Sequence, residues 1–402
     1  MTKSWTVVLV AGLALGVWGS NARAQEDAQG SIAQTAITHD EVVRMGLDVI
    51  VGLEENETSG QWPYEGVYRV GRQIPVGYKV GGTAIACLAL ALSPGFADDD
   101  ARLQAVGRGI DFIAASTSHA LMNPEYDGGY DVRGWGYTYA LLLLLELEKR
   151  SLIPDDRRDV AKAATHFYLS AIQSTEIPQA GGWNYARGQG RNAVSPASPF
   201  MTGPTLQALF LAASLNYDVD SGVVERALAS LERGRAASGE LVYSGDATER
   251  RAGGVPGATG RMLIAESTLF LAGRSSQANI RGALDAFIVH WDHLEARRAK
   301  SGTHEPPYGV APYYFYYAHL AAAQAIELLP QRERAEYRRR VTDLLMKTRA
   351  DDGSWNDRVF ERSAAYGTAM ALLALQAPSL GSTPRWVQPL PPATPEDSAK
   401  NP

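Results

Sequence analysis

The sequence predicts an all-α protein whose helices close into a double ring, an (α/α)6 toroid. Three observations carry this. A short grammar recurs six times along the chain: a Gly-rich turn with an aromatic, a polar loop, then a helix opening on small or hydroxyl residues. That helix is apolar on nearly every side, and it alternates with a more polar, amphipathic one. A helix apolar all round must be surrounded by protein, whereas one with a polar face lies outside. Six inner and six outer helices make the number of pairs at which such rings commonly close. The same pattern also allows an open helical solenoid, which would have to cap its exposed ends.

The elements follow in chain order. Lys3, the apolar run Trp5 to Gly19 and Ala22-Arg23-Ala24 have the layout of a secretory signal peptide cleaved after Ala24. The expected organisation is a signal peptide over 1–24, a flexible segment over 25–38, the toroid over 39–378 and a Pro-rich disordered tail over 379–402. The aromatic markers of the six turns are Trp62, Tyr130, Trp183, Tyr243, Tyr308 and Trp355, and each gap between them holds two helices with their loops. The apolar helices that follow include GYKVGGTAIACLALAL after Trp62, TGPTLQALFLAASL after Trp183 and AAYGTAMALLALQ after Trp355. The outer helices include 283–300 and 332–349. Glycines such as Gly181, Gly182 and Gly353 suit the left-handed backbone that ends a helix, so the aromatic after them is read as a structural staple between helix ends.

This turn resembles the repeat of squalene–hopene cyclases and protein prenyltransferases, through Gly181-Gly182-Trp183, Gly353-Ser354-Trp355 and Gly60-Gln61-Trp62. The resemblance spans about residues 40 to 377 and implies the toroid fold. The family's chemistry has no matching residues. Class II cyclases use the middle Asp of a D-x-D-D motif, and the nearest stretches are Asp218-Val219-Asp220-Ser221 and Asp98-Asp99-Asp100-Ala101. Prenyltransferases bind zinc through Asp, Cys and His, whereas the only cysteine, Cys87, has Ile85 two places before it and sits in an apolar helix as a small hydrophobe. A single cysteine also excludes an intrachain disulfide. No metal and no cofactor are expected.

A net charge of −6 gives no basic footprint for nucleic acid. After signal cleavage no stretch is long and apolar enough to span a membrane. The partner expected is a small molecule or a glycan, bound where the loops entering the inner helices crowd one mouth of the ring. Candidate ligand contacts are Trp135, Tyr137, Trp183, Arg187, Tyr308 and Tyr313, and each can equally pack a helix end. Candidate acids and bases are Asp127, Asp131, Glu266 and His304. Asp127 and Asp131 straddle two glycines and could act as a pair on a glycoside, or cap a turn and the next helix. Glu266, inside an apolar helix, needs Arg261, Arg274 or the cavity as partner. The function expected is ligand binding in an aromatic-lined cavity of an exported toroid. The alternatives are a polysaccharide hydrolase or lyase, or an exported scaffold.

Overall fold

The computed structural model describes residues 37–388, except 57, 128–131, 186–189, 191, 249–252 and 310. The helices are α1 (His39–Gly52), α2 (Val76–Leu92), α3 (Asp100–Ser116), α4 (Arg133–Lys149), α5 (Arg158–Ser174), α6 (Pro199–Ser214) and α7 (Ser221–Arg233). They continue with α8 (Val255–Leu271), α9 (Gln277–Val289), the short α10 (Trp291–Glu295), α11 (Tyr314–Ile326), α12 (Gln331–Met346) and α13 (Ser363–Leu380). The described residues hold isolated bridges but no strand. Helices α2, α4, α6, α8, α11 and α13 each pack on the next, and α13 packs back on α2 and on α1. That last contact closes the ring and decides between toroid and solenoid.

Burial follows the two helix types. Val80, Ala84, Ile85, Cys87 and Leu90 of α2 are all fully buried, while α12 buries only Val341 and Leu345. Burial pushes the Cys87 thiol well above the usual thiol range, which suits an inert core residue. The expected outer helix over 283–300 is broken: α9 ends at Val289, and α10 starts at Trp291 after His290 leaves the helical conformation.

The Trp turns share one bonding scheme. The indole N–H of Trp62 donates to the Ile50 carbonyl (2.7 Å), that of Trp183 to Ile172 (2.9 Å) and that of Trp355 to Leu345 (3.2 Å). Each acceptor lies in the last turn of the preceding outer helix, where carbonyls lack intrahelical partners. The backbone N–H of the same Trp donates to a threonine of the following inner helix: Thr83 (3.0 Å), Thr202 (3.1 Å) or Thr368 (3.0 Å). One residue thus pins an outer helix to its inner partner. The glycine before it reaches sideways: a Cβ on Gly60 or Gly181 would lie 2.3 or 2.4 Å from the carbonyl oxygen of Arg108 or Arg226 in the next outer helix, and both glycines have positive φ. The sixth turn, at Gly353, meets the Met45 side chain of α1, whose Cβ would lie 2.9 Å from a Cβ on that glycine.

The fourth turn corrects the assigned marker. Gly239 has positive φ and the Ala236 N–H bonds the Glu240 carbonyl, as Ala350 bonds Ser354 in the sixth turn. The Trp position therefore falls to the fully buried Leu241, not to Tyr243, which is only partly buried. The stretches closest to a D-x-D-D acid are helix caps: Asp99 accepts from the Arg102 N–H (3.1 Å) and Asp220 from the Gly222 N–H (2.7 Å).

The sequence reading starts a disordered tail at 379. Instead α13 runs through Pro378 to Leu380, and residues 381–388 lie against the ring. Trp386 stacks on Phe210 with ring centres 5.5 Å apart and its backbone N–H donates to the Leu271 carbonyl (3.1 Å). The Arg385 guanidinium sits 4.8 Å over Phe270. An aromatic and a cation place this segment, whatever its proline content.

Candidate functional site

The inner ring encloses an axial shaft of about 110 Å³, to which all six inner helices contribute. Ile85, Leu88, Leu142, Ile264, Leu320 and Leu373 form much of its wall. Tyr139 and Tyr317 lie toward the N-terminal ends of the inner helices, and Leu92, Arg150 and Leu380 toward the C-terminal ends. A ring of inward-facing helices with few polar side chains leaves an apolar lumen. Its charged and amide groups gather near the C-terminal end, where several are paired. Arg150 donates to Glu146 (3.0 Å) and to the Leu380 carbonyl (3.0 Å), and Gln207 donates to Thr268 (3.0 Å). Residues 380–383 of the tail line this end, with Thr383 donating to Gln207 (3.3 Å).

Beyond Tyr139 and Tyr317, toward the loops that enter the inner helices, aromatic side chains fill the ring. Trp135 meets Tyr139 edge-on at 5.1 Å and Tyr78 at 5.6 Å. Tyr64 lies 4.7 Å from Tyr366, and Phe200 stacks on Tyr314 at 3.6 Å. The hydroxyl of Tyr313 bonds those of Tyr185 (3.1 Å) and Tyr314 (2.7 Å). Burial holds all three phenols well above the usual tyrosine range, so they are neutral donors and acceptors.

Two titratable groups sit in this aromatic layer. Asp357 is fully buried, and neither carboxyl oxygen has a hydrogen-bond partner among the described residues. Burial pushes its carboxyl from the ordinary 3.8 up to about 8, against the opposing pull of Arg358 and Arg298. Arg261 of α8 is 3% exposed and its Nε donates to the Leu241 carbonyl (3.1 Å).

The expected site residues divide as follows. Trp135 and Tyr313 belong to the aromatic layer. Trp183 is a staple, as described. Tyr137 faces the outer ring instead of the axis: its hydroxyl donates to the Met122 carbonyl (2.6 Å) and its ring packs near Phe167 and Tyr168. Tyr308 meets His293 edge-on at 5.2 Å, between helices, with Arg297 over its ring. Glu266 takes neither expected arginine. Arg235, from the turn after α7, binds it in a fork at 2.8 and 2.8 Å, and Ser275 donates to it as well, so it is a buried ion pair away from the shaft lining. His304 is exposed and meets Tyr243 edge-on at 5.1 Å. Asp127 is exposed, and Asp131 and Arg187 lie outside the described residues. Sequence reasoning missed Glu146, Arg150, Gln207 and Gln324, the polar residues of the shaft. Their signal was present as polar letters inside otherwise apolar helices. Among the described residues no group of three or more His, Cys, Asp or Glu could hold a metal, and no helix is long and apolar enough to cross a membrane.

No family model and no curated protein sequence matches the chain. Its fold is similar to that of an unsaturated glucuronyl hydrolase from Streptococcus agalactiae (TM-score 0.56, 10% identity, covering 84% of this chain and 90% of that one). It is similar to the type II terpene cyclase MstE from Scytonema, solved with its substrate geranylgeranyl dihydroxybenzoate (TM-score 0.53, 12% identity, 85% and 97% covered). It is also similar to an alpha-1,6-mannanase of Salegentibacter in complex with alpha-1,6-mannotetrose (TM-score 0.51, 12% identity, 83% and 98% covered). Glycoside hydrolases and a terpene cyclase share this architecture, and at such identities the likeness establishes the fold alone: the chain is an all-α toroid of the (α/α)6 type.

Proposed function

We propose that this chain is an exported binding protein that holds one slender, apolar ligand segment in its axial shaft. The observation that carries this reading is the shaft itself, walled by aliphatic and aromatic side chains from all six inner helices. Its volume of about 110 Å³ is a fraction of the ~300–1,000 Å³ of pockets that enclose drug-sized molecules. It suits a single chain and is too small for a folded polycycle. A terpene cyclase of similar fold binds a geranylgeranyl-bearing substrate, which supports a chain-like ligand here. Export rests on the signal-peptide layout of residues 1–24.

Cyclase and prenyltransferase chemistry are not part of this reading, because the nearest acidic stretches cap helices and Cys87 is buried in α2. The polysaccharide hydrolase reading needs two carboxylates about 5–10 Å apart over an open groove. Glu146 is the single carboxylate among the shaft-lining residues, and Arg150 occupies it.

The test is uptake of 1,6-diphenyl-1,3,5-hexatriene, a linear polyene whose fluorescence rises in apolar surroundings, by the purified full chain and by Leu373→Trp, which fills the shaft. Saturable uptake that the substitution abolishes supports the reading. Uptake equal in both proteins, or conversion of squalene or a prenyl diphosphate to product, refutes it.

A further inference from the structure

From the surroundings of Arg261, we infer that the aromatic mouth holds a second site, which binds the carboxylate of a monoanionic organic acid. Other buried arginines of the chain are better matched. Arg102 pairs with Asp99 at 2.7 Å and donates to the Leu90 carbonyl, and Arg358 spends both terminal nitrogens on the Gly302 and Ser301 carbonyls. Arg261, equally buried, has no carboxylate partner among the described residues and spends only Nε on a carbonyl. Its guanidinium carbon lies 5.8 Å from both the Phe200 and the Tyr243 ring centres. Ring faces attract a cation but do not neutralise it, and an unpaired buried charge is costly.

The remaining neighbours are donors suited to an oxyanion. The linked phenols of Tyr185, Tyr313 and Tyr314 lie close enough to feel the Arg261 charge. That charge reaches outward as well: partial desolvation of the His304 ring lowers its proton affinity, and Arg261 lowers it further. The exposed His304 packs on the half-buried Tyr243, which in turn covers Arg261, so these two side chains form the way in. A guanidinium grips a planar carboxylate through two parallel hydrogen bonds. With one cation and neutral phenols, the site matches a single negative charge and offers nothing for the second charge of a phosphate ester. Tyr317, which meets Phe200 at 5.1 Å, separates it from the shaft.

The test uses the full chain with benzoate and acetate as probes, against phosphate and chloride at equal ionic strength. Two signals are read: the thermal-unfolding midpoint and the His304 ring titration by NMR, assigned with His304→Gln. The expected result is saturable stabilisation by the carboxylates. In parallel, the His304 titration should move to higher pH as the bound anion cancels the Arg261 charge. Tyr313→Phe, which keeps the ring and removes only the hydroxyl, should weaken benzoate binding several-fold, and Arg261→Met should abolish both responses. If Arg261→Met fails to fold, the His304 shift and Tyr313→Phe decide. Carboxylates that act no differently from chloride, a His304 titration that stays put at saturation, or protection by phosphate alone each overturn the inference. Dye uptake by the shaft is independent of all these outcomes.

Discussion

Replacing Asp357 by asparagine should make the protein more stable, and increasingly so as pH rises. In the folded chain the carboxyl is fully buried without a hydrogen-bond partner among the described residues, and burial raises it from 3.8 to about 8. An unfolded aspartate ionises near pH ~4. Folding therefore takes up a proton between those two values. The stability this group confers is complete below the unfolded value and is lost as pH climbs toward the folded one. Each decade of proton activity is worth ~1.4 kcal/mol, so the loss is at most ~6 kcal/mol across the window and ~4 kcal/mol by pH 7. Asn has the shape of the protonated acid and never ionises. Asp357→Asn should match the parent near pH ~4 and exceed it by up to ~4 kcal/mol at pH 7. Urea unfolding followed by tryptophan fluorescence at several pH values reads this directly. A variant less stable than the parent at neutral pH, or a difference that does not widen with pH, would refute the reasoning and mean that Asp357 is ionised and held by Arg298 and Arg358.

Three further outcomes are expected. Trp355→Phe should cost ~1–2 kcal/mol, because the staple loses its hydrogen bond and part of its ring while the Leu345 carbonyl keeps the Thr348 donors. A double-mutant cycle with Thr368→Val should show coupling, since both residues serve one turn. Gly181→Ala should destabilise by ~1–3 kcal/mol or more, given its positive φ and the Arg226 carbonyl 2.4 Å from a Cβ; circular dichroism melting measures this. Ending the chain after Leu380 should speed diphenylhexatriene uptake in stopped flow, because residues 381–383 line one end of the shaft; an unchanged rate would show that entry lies elsewhere.

The ring was legible in the sequence because its cause is local and repeated. Gly181-Gly182-Trp183 and Gly353-Ser354-Trp355 show a turn, and the unbroken apolar letters of 369–375 show a helix with no solvent side. Closure was legible only through the count of six helix pairs, since the contact that makes it, α13 meeting α2 and α1, spans the whole length of the chain. The fourth turn misled because a leucine took the tryptophan's place while a tyrosine two residues on looked like the marker. The site was less legible still. Tyrosines in loops that enter inner helices do form the mouth, as Tyr313 does, but direction around a helix decides between axis and outer ring, and Tyr137 points outward. The partner of Glu266 came from a turn outside its own helix, so local spacing could not supply Arg235. Arg261 stood out only once its surroundings lacked a counter-charge.

The contact of Gly353 with Met45 has a consequence for how the molecule comes apart. A linear stack of helical repeats can melt from its ends, one unit at a time, because each unit needs only its neighbours. Here the last turn clasps the first helix, so no unit is terminal and fraying has nowhere to begin. Opening the seam at α13 costs the same kind of clasp as opening any other turn. The toroid should therefore unfold as one event, and a chain cut at a loop elsewhere, with the α1 and α13 ends joined, would still own a complete set of turns.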